Sequence, residues 1–173
     1  MQKRLLLFTG ISSLGLLLNG CASGSSGSSS NSTFVPQQSE APKVKGGFDS
    51  PLVLPDGTSF TLSAPSSFTP GHFASGQIKG QIYESFKISI SNKSKSPLDL
   101  STLIVSGTTS AGSCADIFDG DNNVNGAPQE ALAVGATLEV NWALSCPGAS
   151  GSNFDVTLQN NGTNLIQASG KLA

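Results

Sequence analysis

The sequence contains few of the side chains on which catalysis and nucleic-acid binding usually depend. Of its 173 residues, one is a histidine, His72, and one is an arginine, Arg4. A single histidine argues against a zinc site, and no Gly-x-Ser-x-Gly nucleophile elbow accompanies it. Duplex-binding surfaces need clustered lysine and arginine, whereas this chain has a net charge of −2. Composition therefore argues against an enzyme and against a nucleic-acid partner.

The chain also lacks a hydrophobic run long enough to span a bilayer. Its longest apolar stretch, Leu5 to Leu18, has about 14 residues, whereas a membrane helix needs about 20. Lys3-Arg4 before this stretch and small residues after it are typical of a cleaved secretion signal. The segment Leu18-Asn19-Gly20-Cys21 resembles the signal of bacterial lipoproteins. In that family the signal is cut before the cysteine, which carries diacylglycerol and a fatty acid such as palmitate. A plain signal peptide with a chance cysteine is the alternative.

This resemblance implies that residues 1–20 are a signal peptide and that Cys21 anchors the protein to a membrane. The expected location is the extracytoplasmic face of the cell membrane. Ala22, rather than an aspartate, follows Cys21, so a host with two membranes would carry the protein on its outer membrane. Loss of Lys3 and Arg4 would leave seven lysines, eleven acidic residues and a formal charge of −4.

Cysteine is scarce, and two of the three residues remain after Cys21 is assigned to lipid. Cys114 and Cys146 form an even pair in an oxidising compartment, so a disulfide between them is expected. It would stabilise the fold by roughly 3–4 kcal/mol in the chain-entropy model. A metal–thiolate site would need further cysteine or histidine ligands.

Residues 21–47 are predicted to be a disordered tether. The segment Ala22–Ser30 is made of serine, glycine and alanine and has too little apolar surface to fold. Pro36, Pro42 and Gly46-Gly47 continue this character. A flexible chain of about 26 residues has a mean reach of roughly 28 Å, so the domain would be held clear of the lipid headgroups.

Residues 48–173 show the alternating pattern of an all-β domain, with polar turns between short strands. About seven strands predict an antiparallel immunoglobulin-like sandwich. The domain is also expected to be monomeric. Turns are expected at Pro55–Thr58 and Asn160–Thr163, and a strand is expected over Leu98–Ser106. In each of three strands, alternate apolar residues are expected to share one face: Phe86, Ile88 and Ile90; Leu138, Val140, Trp142 and Leu144; and Phe154, Val156 and Leu158. Trp142 is expected in the core, with Ala143 on the polar face.

Several segments resemble secreted domains related to telokin and to the mycobacterial immunoprotective extracellular antigen. They are Phe86–Ser94 with Pro97-Leu98-Asp99-Leu100, Cys114–Asp119, Gly126-Ala127-Pro128, and Val134-Gly135 before Leu138-Glu139-Val140. Together these segments cover a third to a half of the chain and also fit actinobacterial lipoproteins. The resemblance implies an immunoglobulin-like fold and offers no catalytic residues.

One loop has the spacing of a calcium site. From Asp119, oxygen ligands fall at positions 1, 3, 5 and 7, with a glutamate at position 12. Position 6 is Val124 where a calcium loop has glycine, and the alternative is an ordinary exposed loop. The candidate ligands are Asp119, Asp121, Asn123, Asn125 and Glu130.

Exposed aromatic rings would favour glycan binding, and four phenylalanines lie outside the predicted core parity: Phe34, Phe48, Phe68 and Phe73. The sequence as a whole predicts a lipid-anchored, non-enzymatic envelope module without a cofactor, which binds a protein partner at an edge strand or at loops. A calcium-stabilised adhesion or glycan-binding module, and a secreted enzyme, are the alternatives.

Overall fold

The computed structural model describes residues 40–173, which form β-strands and one 3-10 helix, Gly120–Asn122. No helix in this described part is long and apolar enough to cross a bilayer. The strands are β1 (Val44–Gly47), β2 (Leu52–Val53), β3 (Ser59–Leu62), β4 (Ser66–Ser67), β5 (Ile82–Ser91), β6 (Ile104–Thr109), β7 (Gly112–Ser113), β8 (Ala115–Ile117), β9 (Thr137–Cys146), β10 (Asn153–Asn160) and β11 (Thr163–Lys171).

These strands are arranged in two sheets. The first has the order β1-β11-β10-β6-β7, and the second has the order β2-β3-β5-β9-β8, with β4 paired to β5. All pairs are antiparallel except β1 with β11, which is parallel. The all-β sandwich predicted from sequence is confirmed, and several very short strands account for the larger strand number.

The main core lies between the two sheets, as the alternating pattern predicts. Ile88 and Ile90 from β5 are fully buried in one cluster with Val156 and Leu158 from β10. Trp142 belongs to the same cluster, and its indole N–H donates to Asp116 Oδ1 at 2.9 Å. The prediction that Trp142 is a core residue is therefore confirmed.

Both predicted hairpin turns form, for local reasons. In the first, the backbone N–H of Thr58 donates to Asp56 Oδ1 at 2.8 Å, which closes an Asx turn between β2 and β3. In the second, Asn161 and Gly162 have φ values of 49° and 73°. A type I′ turn requires positive φ at both positions, and Asn-Gly tolerates it at low cost.

Two predicted boundaries are wrong. β1 lies within the segment 21–47 predicted to be tether, because Val44–Gly47 pair with Ile166–Ser169 of β11. The strand expected over Leu98–Ser106 begins only at Ile104. Before it, Asp99 Oδ1 accepts the N–H of Ser101 and turns the chain. The predicted signal peptide, Cys21 and the rest of the predicted tether up to residue 39 lie outside the described residues.

A second, smaller hydrophobic cluster covers the outer face of the second sheet. Ala143 was predicted on the polar face of β9, yet it is fully buried against Ile117 and Val124. Phe68 and Tyr83 pack against the same cluster. The outer face is therefore apolar here because chain segments remote in sequence lie across it.

The predicted disulfide is present and joins Cys114 to Cys146. It links the start of β8 to the end of β9 beside the core. A Cβ atom at Gly107 of the facing sheet would lie 2.9 Å from Cys114 Sγ and 2.6 Å from Leu144 Cδ1. Glycine at this position therefore allows the two sheets to close around the disulfide.

Candidate functional site

The predicted acidic loop begins where β8 leaves the second sheet. Phe118 exchanges backbone hydrogen bonds with Ser75, at 2.9 and 3.0 Å. Asp119 then pairs with Val124 across the 3-10 turn, with both N···O distances at 2.9 Å. Asn123 closes this turn in the left-handed region, at φ 57°. The backbone of the loop is therefore held by its own hydrogen bonds.

Asp119 acts as a brace between this loop and a distant turn. Only 2% of its surface is exposed. Its Oδ2 accepts the backbone N–H of Gly71 at 2.7 Å and the side-chain amide of Asn122 at 2.7 Å. These hydrogen bonds hold the pKa of the Asp119 carboxyl below its ordinary value, and the bond from Gly71 has the largest effect. The carboxylate is thus satisfied by one donor from its own loop, Asn122, and by one from Gly71, which lies 48 residues before Asp119.

The structure does not gather the predicted calcium ligands into one site. Within residues 40–173, no three His, Cys, Asp or Glu side chains form a group suited to a metal. Asp119 and Asp121 both lie beside Gly71, where a Cβ would be 3.1 and 3.4 Å from their carboxylate oxygens. Asn123 and Asn125 instead line a groove along β9, and Glu130 lies exposed beyond it. Calcium binding thus gains no support from this geometry and remains an untested prediction.

The turn braced by Asp119 presents an aromatic side chain to solvent. The N–H of Ala74 donates to the carbonyl of Gly71 at 3.2 Å, which places His72 and Phe73 at the tip. Phe73 is 85% exposed, and the His72 ring meets it edge-on at 4.9 Å. Pro70-Gly71 indicated a turn in the sequence, but no local pattern predicted that the turn would be fixed.

The other phenylalanines considered for glycan binding have different positions. Phe48 stacks on Phe154 in the main core, with ring centroids 5.9 Å apart. Phe68 packs on the outer cluster, and Phe34 lies outside the described residues. Of the four, Phe73 is therefore the one that the structure places as an exposed ring.

A groove of about 440 Å³ runs beside β9. One wall is the segment Leu138–Asn141 of β9, and the other is the loop Asn123–Gln129. Leu138 and Val140 are half-buried in it, since they also pack on the main core. The sequence predicted these residues as strand and loop, but not the space between them.

Two carboxyl groups point into the sandwich. Glu84 on β5 is fully buried; its Oε1 accepts the N–H of Ala173 at 2.8 Å, and its Oε2 has no partner in the structure. Burial raises the pKa of Glu84, against the lowering effect of the Ala173 N–H. Burial likewise raises the pKa of Asp116, partly offset by the bond from Trp142. Glu84 is two residues from Phe86 on β5, so both side chains lie on the same face of the strand. The alternating pattern of the sequence therefore indicated that Glu84 would be buried.

The fold defines the class: an immunoglobulin-like β-sandwich closed by one disulfide. No protein-family model matches the chain, and no curated protein matches it. Among solved structures it is similar to MPT63, a secreted protein of Mycobacterium tuberculosis, at 15% identity over 76% of this chain and 100% of that one, with a TM-score of 0.52. It is also similar to the YcdA protein of Bacillus subtilis, described as a candidate lipoprotein, at 13% identity and a TM-score of 0.53.

The match to YcdA covers 77% of this chain but 39% of that one. At these identities the two likenesses establish the fold, which agrees with the resemblance to secreted mycobacterial antigens in the sequence.

Proposed function

We propose that the protein is a lipoprotein, anchored through Cys21 to the outer face of a cell membrane, that displays its sandwich as a non-enzymatic interaction module. The lipoprotein-like signal and the disulfide both suit an extracytoplasmic place. The only histidine, His72, lies at an exposed turn where its ring contacts Phe73. We propose no catalytic residue, and we place the binding surface on the loops that the rigid sandwich positions.

The exposed ring of Phe73 is the observation that carries this proposal. Aromatic side chains bury a large area on contact and often anchor protein interfaces. Phe73 lies on a turn that buried Asp119 fixes through Gly71. A partner would therefore meet a preorganised ring and would not need to order a loose loop.

The test is photo-crosslinking on intact cells that express the full chain. A crosslinking phenylalanine analogue is placed at Phe73 or, as a control, at Val134, which is 53% exposed at the turn before β9. We expect a discrete adduct from position 73, and this adduct should be absent from position 134 even if another partner lies near the start of β9. Phe73→Ser should prevent native co-purification of the partner crosslinked from position 73. Equal adducts at both positions, or none at either, would contradict the proposal.

A further inference from the structure

The strand β9 is paired completely on one side and only partly on the other. Toward β5 all ten of its residues are in register. Toward β8 only Ala143–Ser145 are paired. Within residues 40–173, no strand pairs with the stretch Thr137–Trp142 on this second side. This open edge borders the groove described above.

The edge is open because β8 leaves the sheet early. In the register that pairs Ile117 with Ala143, Asp119 would come opposite Asn141. Asp119 instead exchanges both backbone hydrogen bonds with Val124, donating its N–H and accepting at its C=O, and its side chain accepts the N–H of Gly71. The chain then continues through the loop Asn123–Gln129, which forms the other wall of the groove. The groove is thus the position that a longer β8 would have occupied.

The backbone of the open edge points into the groove. The N–H of Asn92 donates to the carbonyl of Ala136 at 3.0 Å in the β5–β9 register. Because hydrogen-bonded pairs alternate along an antiparallel ladder, the even-numbered residues of β9 bond to β5. The N–H and C=O groups of Glu139 and Asn141 therefore face the groove, ready for an added strand.

The side chains and charges around the edge define what such a strand would carry. Leu138 and Val140 face inward toward the core, whereas Glu139 is largely exposed on the outer face. Glu139 is the one charged residue among those that line the groove. On the side away from the groove, Lys87 Nζ of β5 lies 3.9 Å from Glu139 Oε2, so a basic side chain on an added strand would flank the carboxylate from the other side. An added strand with apolar side chains inward and basic side chains outward would complement the edge.

We propose that the open edge of β9 binds an extended segment of a partner protein in which apolar residues alternate with lysine or arginine. The segment pairs with the backbone of Glu139 and Asn141 and continues the second sheet, a mode known as β-strand addition. The inference rests on the proposed function only in treating the domain as an interaction module, since its surface does not include Phe73.

The test uses the full chain, purified in detergent, and a fluorescent seven-residue peptide of alternating valine and lysine. Fluorescence anisotropy should show saturable binding, weaker by about tenfold for the peptide with glutamate in place of lysine. N-methylation of alternate peptide amides on the pairing edge should abolish binding, because it removes the ladder donors without changing charge. Equal binding of the methylated or the glutamate peptide would overturn the proposal, as would no binding of the lysine peptide.

Variants locate the site. Asn141→Pro removes an N–H that faces the groove and should weaken binding by about tenfold, while Asn141→Ala keeps that N–H and should bind as the parent does. Glu139→Gln, at an exposed position, should also weaken peptide binding, and this variant does not introduce a proline. Phe73→Ser should leave peptide binding unchanged, so failure at one surface is distinguishable from failure at the other. Self-association that Asn141→Pro abolishes would show that a second copy occupies the edge, and would also overturn the proposal.

Discussion

At the scale of single residues, Glu84 is the side chain least suited to its surroundings. It lies in the inward parity of β5, where Phe86 and Ile88 are apolar, and only one of its oxygens has a partner. Burying a carboxylate disfavours its charged form, which is the cause of the raised pKa. The group therefore opposes folding whenever it must be ionised inside the protein.

Proton linkage predicts how Glu84→Gln changes the stability of the protein as a function of pH. A carboxyl whose pKa is higher in the folded state keeps its proton more tightly there, so stability falls as pH rises above the ordinary value of 4.5. The neutral amide removes this loss and still accepts the N–H of Ala173. We expect the melting temperature of the variant to exceed that of the parent by a few degrees at pH 7 and the difference to shrink toward pH 4.

The matched control for this prediction is Glu139→Gln, whose side chain is 65% exposed. Its melting temperature should follow the parent at every pH, since an exposed ion pair contributes little. A Glu84→Gln variant that is less stable at pH 7 would show that the ionised carboxylate is accommodated by contacts beyond that with Ala173.

At the scale of elements, the carboxylate of Asp119 in the loop after β8 has two candidate roles, as a calcium ligand and as a brace for a distant turn. Asp119 has the spacing of a calcium ligand in sequence, but in the fold its Oδ2 accepts bonds from Gly71 and Asn122. A cation bound at Oδ2 would have to compete with these donors. The loop is thus better explained as a brace for the turn that bears Phe73.

Thermal melting in millimolar calcium and then in EDTA tests both roles. If the loop is a brace, calcium should not raise the melting temperature, and Asp119→Ala should lower stability by about 1–3 kcal/mol in either buffer, because buried donors lose their acceptor. Asp121→Ala is the matched control: it is exposed and should be nearly neutral. A calcium-dependent rise that both variants abolish would instead establish the predicted site.

At the scale of the whole molecule, the sequence predicts what depends on neighbours in the chain. The alternation of Phe86, Ile88 and Ile90 follows from the pleat of a strand, and the Asn161-Gly162 turn from positive φ. Long-range contacts are different. The early end of β8, the burial of Ala143 and the fixed turn at Phe73 all depend on segments that meet only after folding. No local pattern specifies those meetings, so the β9 groove was not predictable.

The proposed lipid anchor would decide where every other surface of the protein works. Diacylglycerol with a further acyl chain would hold the protein stably, since each buried methylene contributes about 0.8 kcal/mol. We expect the full chain to partition with membranes and to incorporate an alkyne analogue of palmitate, and Cys21→Ser to do neither. Cys114→Ala with Cys146→Ala should still be labelled, because those two cysteines form the disulfide. Labelling that persists in Cys21→Ser would contradict the anchor, and release of the parent chain into the medium would indicate a plain signal peptide and a secreted domain.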